Sequence, residues 1–310
     1  MSRAAEQVQT RAEILKLARL LGREADELSY LEVLTPADVR RLRDGVTESL
    51  YDAHDGSLRK LAAASRLLPS SLIATIAERA FGPLLSARVA GLLDLDRAVE
   101  VSGRLAPAFL AEVAGELDPR RASELIASIP PRLIGQITRE LALRDDYVTM
   151  GRFVGHLSDG AIIAALSALD DAALLRVAFV LEDKQQLRTL VATLPRARVR
   201  GIIAAAAAEE LWVEALDLLH HLAPAQRRDM IKATLALDDA ALEAIVQTVL
   251  DHALWPEVLL IAEHDGALQD RLAERLASLP VRRRRAALRD ARDAGVLGRL
   301  GAIEPALTGA

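Results

Sequence analysis

The chain has 310 residues, 51% of them hydrophobic and mostly alanine and leucine, with 3% aromatics, no cysteine and a net charge of −5. Disulfides, thiolate metal sites and cysteine nucleophiles are thereby excluded, and the acidic balance argues against nucleic acid as a partner. The longest apolar run, Ile202 to Ala208, is far short of the ~20 residues of a membrane span. The opening stretch carries charges throughout and has no signal-type apolar core. A cytoplasmic protein without membrane insertion is expected.

In chain order, Glu6 to Arg23 reads as an amphipathic helix with Ile14, Leu17, Ala18 and Leu21 on one side. Thr35-Pro36 supplies a cap and a first-turn proline for a helix to about Ala53, closed at His54-Asp55-Gly56. Two short helices follow over 57–81, parted at Pro69-Ser70-Ser71. From Gly82 to Leu141 the sequence falls into blocks of twelve: GPLLSARVAGLL, DLDRAVEVSGRL, APAFLAEVAGEL, DPRRASELIASI, PPRLIGQITREL. The eighth position is Val89, Val101, Val113, Leu125 or Ile137, and the last is Leu93, Leu105, Leu117, Ile129 or Leu141. Proline holds the second position at Pro83, Pro107, Pro119 and Pro131. Alternate blocks match best, so the repeat is a helix pair. The pattern breaks over 142–157, resumes over 158–194, and passes into longer helices at 196–209, 211–222, 225–236, 238–253, 256–264, 267–279 and 281–293. The tail from Gly301 reads as loose.

A first-turn proline loses no hydrogen bond, and Asp94 and Asp118 stand where a carboxylate can cap free amides. Helices this short are marginal alone, so each must cover its apolar stripe with neighbouring blocks. The expected fold is all-α: a right-handed superhelix or solenoid of roughly sixteen to eighteen short helices. Its parts are N-terminal helices at 1–81, regular repeats at 82–194, longer repeats with a basic capping end at 195–300 and the tail at 301–310, read as one continuous domain.

The stretch Asp118-Pro119-Arg120-Arg121-Ala122-Ser123-Glu124-Leu125-Ile126-Ala127-Ser128-Ile129-Pro130-Pro131 resembles the repeat of the intracellular N-terminal domain of MgtE-type magnesium transporters, DPxxAxELLxxLPP. Asp170 to Leu175 and Asp238 to Leu242 are weaker instances, and the likeness covers 82–194. Flagellar motor-switch proteins carry similar helical units. The resemblance implies a superhelix of short helices. It implies no transport, because the paired CBS domains and transmembrane ion path of that family have no counterpart here, and no magnesium ligand transfers.

The broken segment offers mixed polar chemistry in Arg144, Asp145, Asp146, Tyr147, Thr149, Arg152 and His156, with Gly151 and Gly155 inside helical spacing. Two readings stand: a small-molecule site, or a kink where the array changes curvature. The six histidines (His54, His156, His220, His221, His252, His264) form no recognised metal-ligand pattern. The pairs Asp145-Asp146, Asp170-Asp171 and Asp238-Asp239 suit helix starts better than acid–base catalysis. Arg282 to Arg285 with Arg289 and Arg292, and Arg196, Arg198 and Arg200 upstream, form the strongest basic feature; without nearby aromatics for stacking it reads as a solvated face. No catalytic motif is present. The expected function is a non-catalytic module that binds another protein, without cofactor. A binding protein for a small, largely apolar ligand is the alternative, and a magnesium-responsive regulator a further one.

Overall fold

The computed structural model describes residues 3–52, 55–262 and 266–309. His54 and His264, and with them parts of the two predicted helix ends at 54–56 and 264–266, lie outside the described residues. Among those described there is no strand, and the chain is all-α. The first helices are α1 (Arg3–Leu21), α2 (Pro36–Asp52), α3 (Asp55–Ser65), α4 (Ser70–Ile76), α5 (Gly82–Ala90), α6 (Leu95–Ser102) and α7 (Pro107–Glu116). They continue as α8 (Ser123–Ser128), α9 (Pro131–Ala142), α10 (Tyr147–Phe153), α11 (Asp159–Ala168), α12 (Asp171–Phe179), α13 (Gln186–Thr193) and α14 (Arg196–Ala208). The remainder are α15 (Trp212–Leu219), α16 (Pro224–Leu235), α17 (Asp239–His252), α18 (Trp255–Ala262), α19 (Gly266–Ser278), α20 (Val281–Asp293) and α21 (Ile303–Thr308). The twenty-one α-helices among the described residues exceed the expected number because pieces as short as α8 and α21 stand apart. No described helix is long and apolar enough to cross a membrane.

The chain divides into two compact units, one of residues 11–173 and 180–182, the other of 1–10, 174–179 and 183–310. Within the first, helices pack on their next-but-one neighbours: α3 on α5, α5 on α7, α7 on α9 and α9 on α11, with α4 on α6 and α6 on α8 between them. That register is the one a two-helix repeat requires, so the structure is compatible with a helical-repeat arrangement. Val89, Val101 and Val113 of the eighth position are buried, as are the block-closing Leu117, Ile129 and Leu141. Pro83, Pro107 and Pro131 sit in the first turns of α5, α7 and α9, where their missing N–H costs nothing. In the second unit α14 packs on α16, α15 on α17, and α17 on α19.

Several local expectations are corrected. Leu21 is the last residue of α1 and is exposed, while Ile14, Leu17 and Ala18 are buried with Leu28, Leu31 and Val39. A 3₁₀ helix over Ala25–Val33 occupies a stretch with no predicted element. Asp94 makes no capping bond; its carboxylate accepts from Arg66 at 2.9 Å. Pro119 does not open a helix, since α8 begins only at Ser123. The tail is not loose: Ile303 and Leu307 of α21 are buried, and the helix packs on α19 and α20. Two apolar residues four apart suffice to seat a single turn against existing helices.

Candidate functional site

The broken segment was the leading candidate, and its polar groups do not converge on one point. Asp146 caps α10, Oδ1 accepting from the Thr149 amide at 3.1 Å. Its Oδ2 accepts from the Thr149 hydroxyl at 2.8 Å and from Arg19 Nε and Nη2 at 3.0 and 2.9 Å. Thr149 is fully buried, so this cluster is a clamp between α1 and α10. A Cβ at Gly115 would crowd the Arg19 guanidinium, the far end of a long side chain. Arg144 turns to α7, donating to the Ala108 carbonyl at 3.1 Å and pairing with Glu112 at 3.2 Å. Asp145, in the left-handed region at φ 53°, accepts from the Tyr147 hydroxyl at 2.6 Å.

Arg152 and His156 point to neighbouring parts of the chain rather than to each other. Arg152 donates to the Leu117 carbonyl at 3.2 Å, and His156 Nδ1 lies 3.0 Å from the Ser123 hydroxyl. Arg152 reaches the end of α7 and His156 the first residue of α8. Burial lowers the His156 pKa against the pull of Asp118 and Glu182, which favours the neutral ring. Gly151 is explained by packing: a Cβ there would stand 2.8 Å from the Val180 carbonyl oxygen. The expected acid-pair caps are present at Asp170 and Asp238, which accept from the amides of Ala173 and Ala241 at 2.7 and 2.9 Å.

The largest charge constellation in the first unit involves residues that sequence reasoning did not single out. Glu13 Oε1 accepts from Lys16 at 2.9 Å and Arg40 at 2.7 Å, while Oε2 meets Arg43 as an ion pair at 3.0 Å. Arg43 continues to Glu182 at 2.8 and 3.2 Å, and Lys16 lies 3.7 Å from the same carboxylate. Lys16 is only 2% exposed. Burial works to raise the Glu13 pKa, but Lys16, Arg40 and Arg43 together outweigh it and hold the carboxyl below its ordinary range. Glu13 and Lys16 are three residues apart on a helix, the one local signal; their partners are far away in sequence.

In the second unit, Asp217 is 2% exposed and Glu257 is fully buried. His220 Nε2 lies 2.9 Å from Glu257 Oε1, and Lys184 Nζ is 3.9 Å from Asp217 Oδ2. Desolvation raises the Asp217 pKa and depresses that of His221 to about 4. Asp217 and His220 stand three residues apart, a spacing that could have drawn attention to them. Among the described residues no group of three or more His, Asp or Glu is placed to hold a metal ion. The Arg-rich face of α20 is largely solvated, with Ala287 and Ala291 turned inward.

Exposed apolar side chains concentrate in one stretch of sequence, from the end of α1 into α2. Of the twelve large apolar side chains exposed among the described residues, five fall within the short stretch Leu21 to Leu42: Leu21, Tyr30, Val33, Leu34 and Leu42. Val33 is 87% exposed and Tyr30 66%. The 3₁₀ helix buries Leu28 and Leu31 and turns Tyr30 and Val33 outward, so the outer side chains stand on a packed floor. Ion pairs flank them, Arg23 with Glu27 at 3.5 Å and Arg41 with Asp38 at 3.4 Å. No protein-family model, curated protein or solved structure matches the chain.

Proposed function

We propose that the chain is a non-catalytic helical-repeat module that binds another protein through the segment from Leu21 to Leu42. The observation that carries this reading is the concentration of exposed apolar side chains there. Single exposed leucines are ordinary, whereas five on one short segment, flanked by paired charges, have the composition of an interface centre and rim. The floor supports the same reading, because the buried cluster of Leu28 and Leu31 with Ile14, Leu17 and Val39 fixes the backbone that carries Tyr30 and Val33. Preorganised side chains lose little entropy on binding. The likeness to the MgtE N-terminal domain is read as kinship of packing, with no transport or magnesium role attached.

Native mass spectrometry of the protein isolated gently from its own host tests the proposal. A second polypeptide in defined ratio is expected, and Tyr30→Ala or Val33→Asp should each weaken its binding about tenfold or more. The melting temperatures of these variants should stay near that of the parent, since both side chains are exposed. Binding that survives both substitutions would place the interface elsewhere.

A further inference from the structure

Helix α20 carries six arginines against two aspartates. Ala287 and Ala291 are buried, and the helix packs on α21. Arg282, Arg285, Arg289 and Arg292 follow at steps of three, four and three residues. At about 3.6 residues per turn they share an arc of ~80° along ~15 Å of helix. All four are exposed, and among the described residues none of them makes a hydrogen bond or an ion pair. Asp290 and Asp293 fall to one side of the arc and pair with none of the four.

Neighbouring guanidiniums are engaged. Arg283, on another side of α20, donates to Gln247 Oε1 at 2.6 Å, and Arg271 and Arg275 of α19 both pair with Asp239. Like charges three and four residues apart on a helix repel one another, and no carboxylate relieves that repulsion along the row. An anionic partner would relieve it.

The rest of the chain narrows the partner. Net charge is −5, and physiological salt screens charges over ~8 Å, so the attraction is confined to the row. An anion that extends past it, such as a membrane leaflet, meets the acidic remainder of the chain. Helix α20 has no aromatic side chain on which a nucleic-acid base could stack. Its inward residues are already buried, so it cannot enter a bilayer as an interfacial helix does. An acidic helix presents Asp or Glu at the same three- and four-residue steps with the same rise of ~1.5 Å per residue. Each carboxylate can then meet one guanidinium fork.

We propose that Arg282, Arg285, Arg289 and Arg292 form a docking surface for an acidic helical segment of a partner protein, with Asp or Glu at matching steps. The proposal uses no residue of the Leu21–Leu42 segment and stands or falls independently of it.

Fluorescence anisotropy on the full chain tests it with two labelled helix-forming peptides of one composition. In the first, glutamates follow one face at steps of three and four; in the second, the same residues are shuffled around the helix. One-to-one saturation is expected, with the first peptide bound about tenfold or more tightly than the second. Arg285→Gln combined with Arg289→Gln removes two exposed, unpaired charges, so the melting temperature should hold while affinity for the first peptide drops about tenfold or more. Arg283→Gln, off the arc, should leave that affinity within about twofold. Vesicles of phosphatidylserine with phosphatidylcholine, and oligothymidylate, should bind more weakly than the first peptide. No saturable peptide binding, equal affinity for both peptides, or undiminished affinity in the double variant overturns the proposal. Tighter binding of the vesicles or of oligothymidylate also overturns it and makes the row a lipid or nucleic-acid contact.

Discussion

Glu13→Gln is the sharpest test of what holds the first unit together. The substitution keeps the side chain's shape and removes one charge from a site where three cations converge at 2.7–3.0 Å. Lys16 is then left 2% exposed, with Glu182 at 3.7 Å as its nearest carboxylate. Breaking a buried pair by removing one partner costs ~3–5 kcal/mol, because the remaining charge is neither solvated nor paired. Glu182 persists and Arg40 is half exposed, so the lower end, about 3 kcal/mol, is expected. For a unit of this size that is a fall of about 6–12 °C in melting temperature. The pH dependence adds a second readout. The folded Glu13 pKa is lowered, so its contribution is fully present above the unfolded value near ~4.3 and is lost as pH falls through the folded value. Wild type should therefore lose stability more steeply than Glu13→Gln below about pH 4. Glu13→Leu combined with Lys16→Met should recover most of the loss, since well-packed apolar residues can replace a buried pair at little cost. Thermal and acid titrations followed by circular dichroism suffice. A melting temperature for Glu13→Gln within about 2 °C of wild type, with the acid slope unchanged, would refute the reasoning.

Other expectations follow from single contacts. Gly151→Ala drives a methyl to 2.8 Å from the Val180 carbonyl, and urea titration should show a loss of about 1–3 kcal/mol despite alanine's better helix propensity. Asp238→Ala removes the cap on the Ala241 amide and should cost about 1 kcal/mol. Asp94→Ala, at a position with no capping bond, should stay within about 0.5 kcal/mol in the same assay. His221 has a depressed folded pKa of about 4, so the unfolded chain binds its proton first as pH falls below about 6.5. The resulting loss between pH 6.5 and 4, about 1–2 kcal/mol after allowance for partial exposure, should vanish in His221→Gln. Asp217, whose carboxyl burial raises, adds a slope of opposite sign that both proteins share.

Many helices are legible from local signals. Val281 to Asp293 lies where periodicity and Pro280 place it, and Arg196–Ala208 stops one residue short of its predicted end. The 3₁₀ helix over Ala25–Val33 is not, because Leu28 and Leu31 supply only two inward residues and no helical period. The ion network escaped for another reason. Arg43 and Glu182 are 139 positions apart, and composition carries no record of which surface charge finds which. The residue types of the broken segment do not disclose the direction in which each side chain turns. Asp146 and Thr149 turn to Arg19, Arg144 to Glu112, Arg152 to the end of α7 and His156 to the first residue of α8.

The turn between α7 and α8 also shows how a repeat can mislead at its best-matching member. Asp118-Pro119 carries the repeat's signature of a cap followed by a first-turn proline, and both were expected to open a helix. In the folded chain the Asp118 carboxylate is buried beside Arg120 and Arg121, where charge-assisted hydrogen bonds outweigh the amide bonds of a helix start. The backbone of 119–122 remains a turn, and α8 shrinks to six residues. A sequence that obeys its own period in letters breaks it in geometry at the place where Arg120 and Arg121 pair with the Asp118 carboxylate. A helix start needs its carboxylate at the amides, so a local signature is overridden where a guanidinium competes for the same buried oxygens.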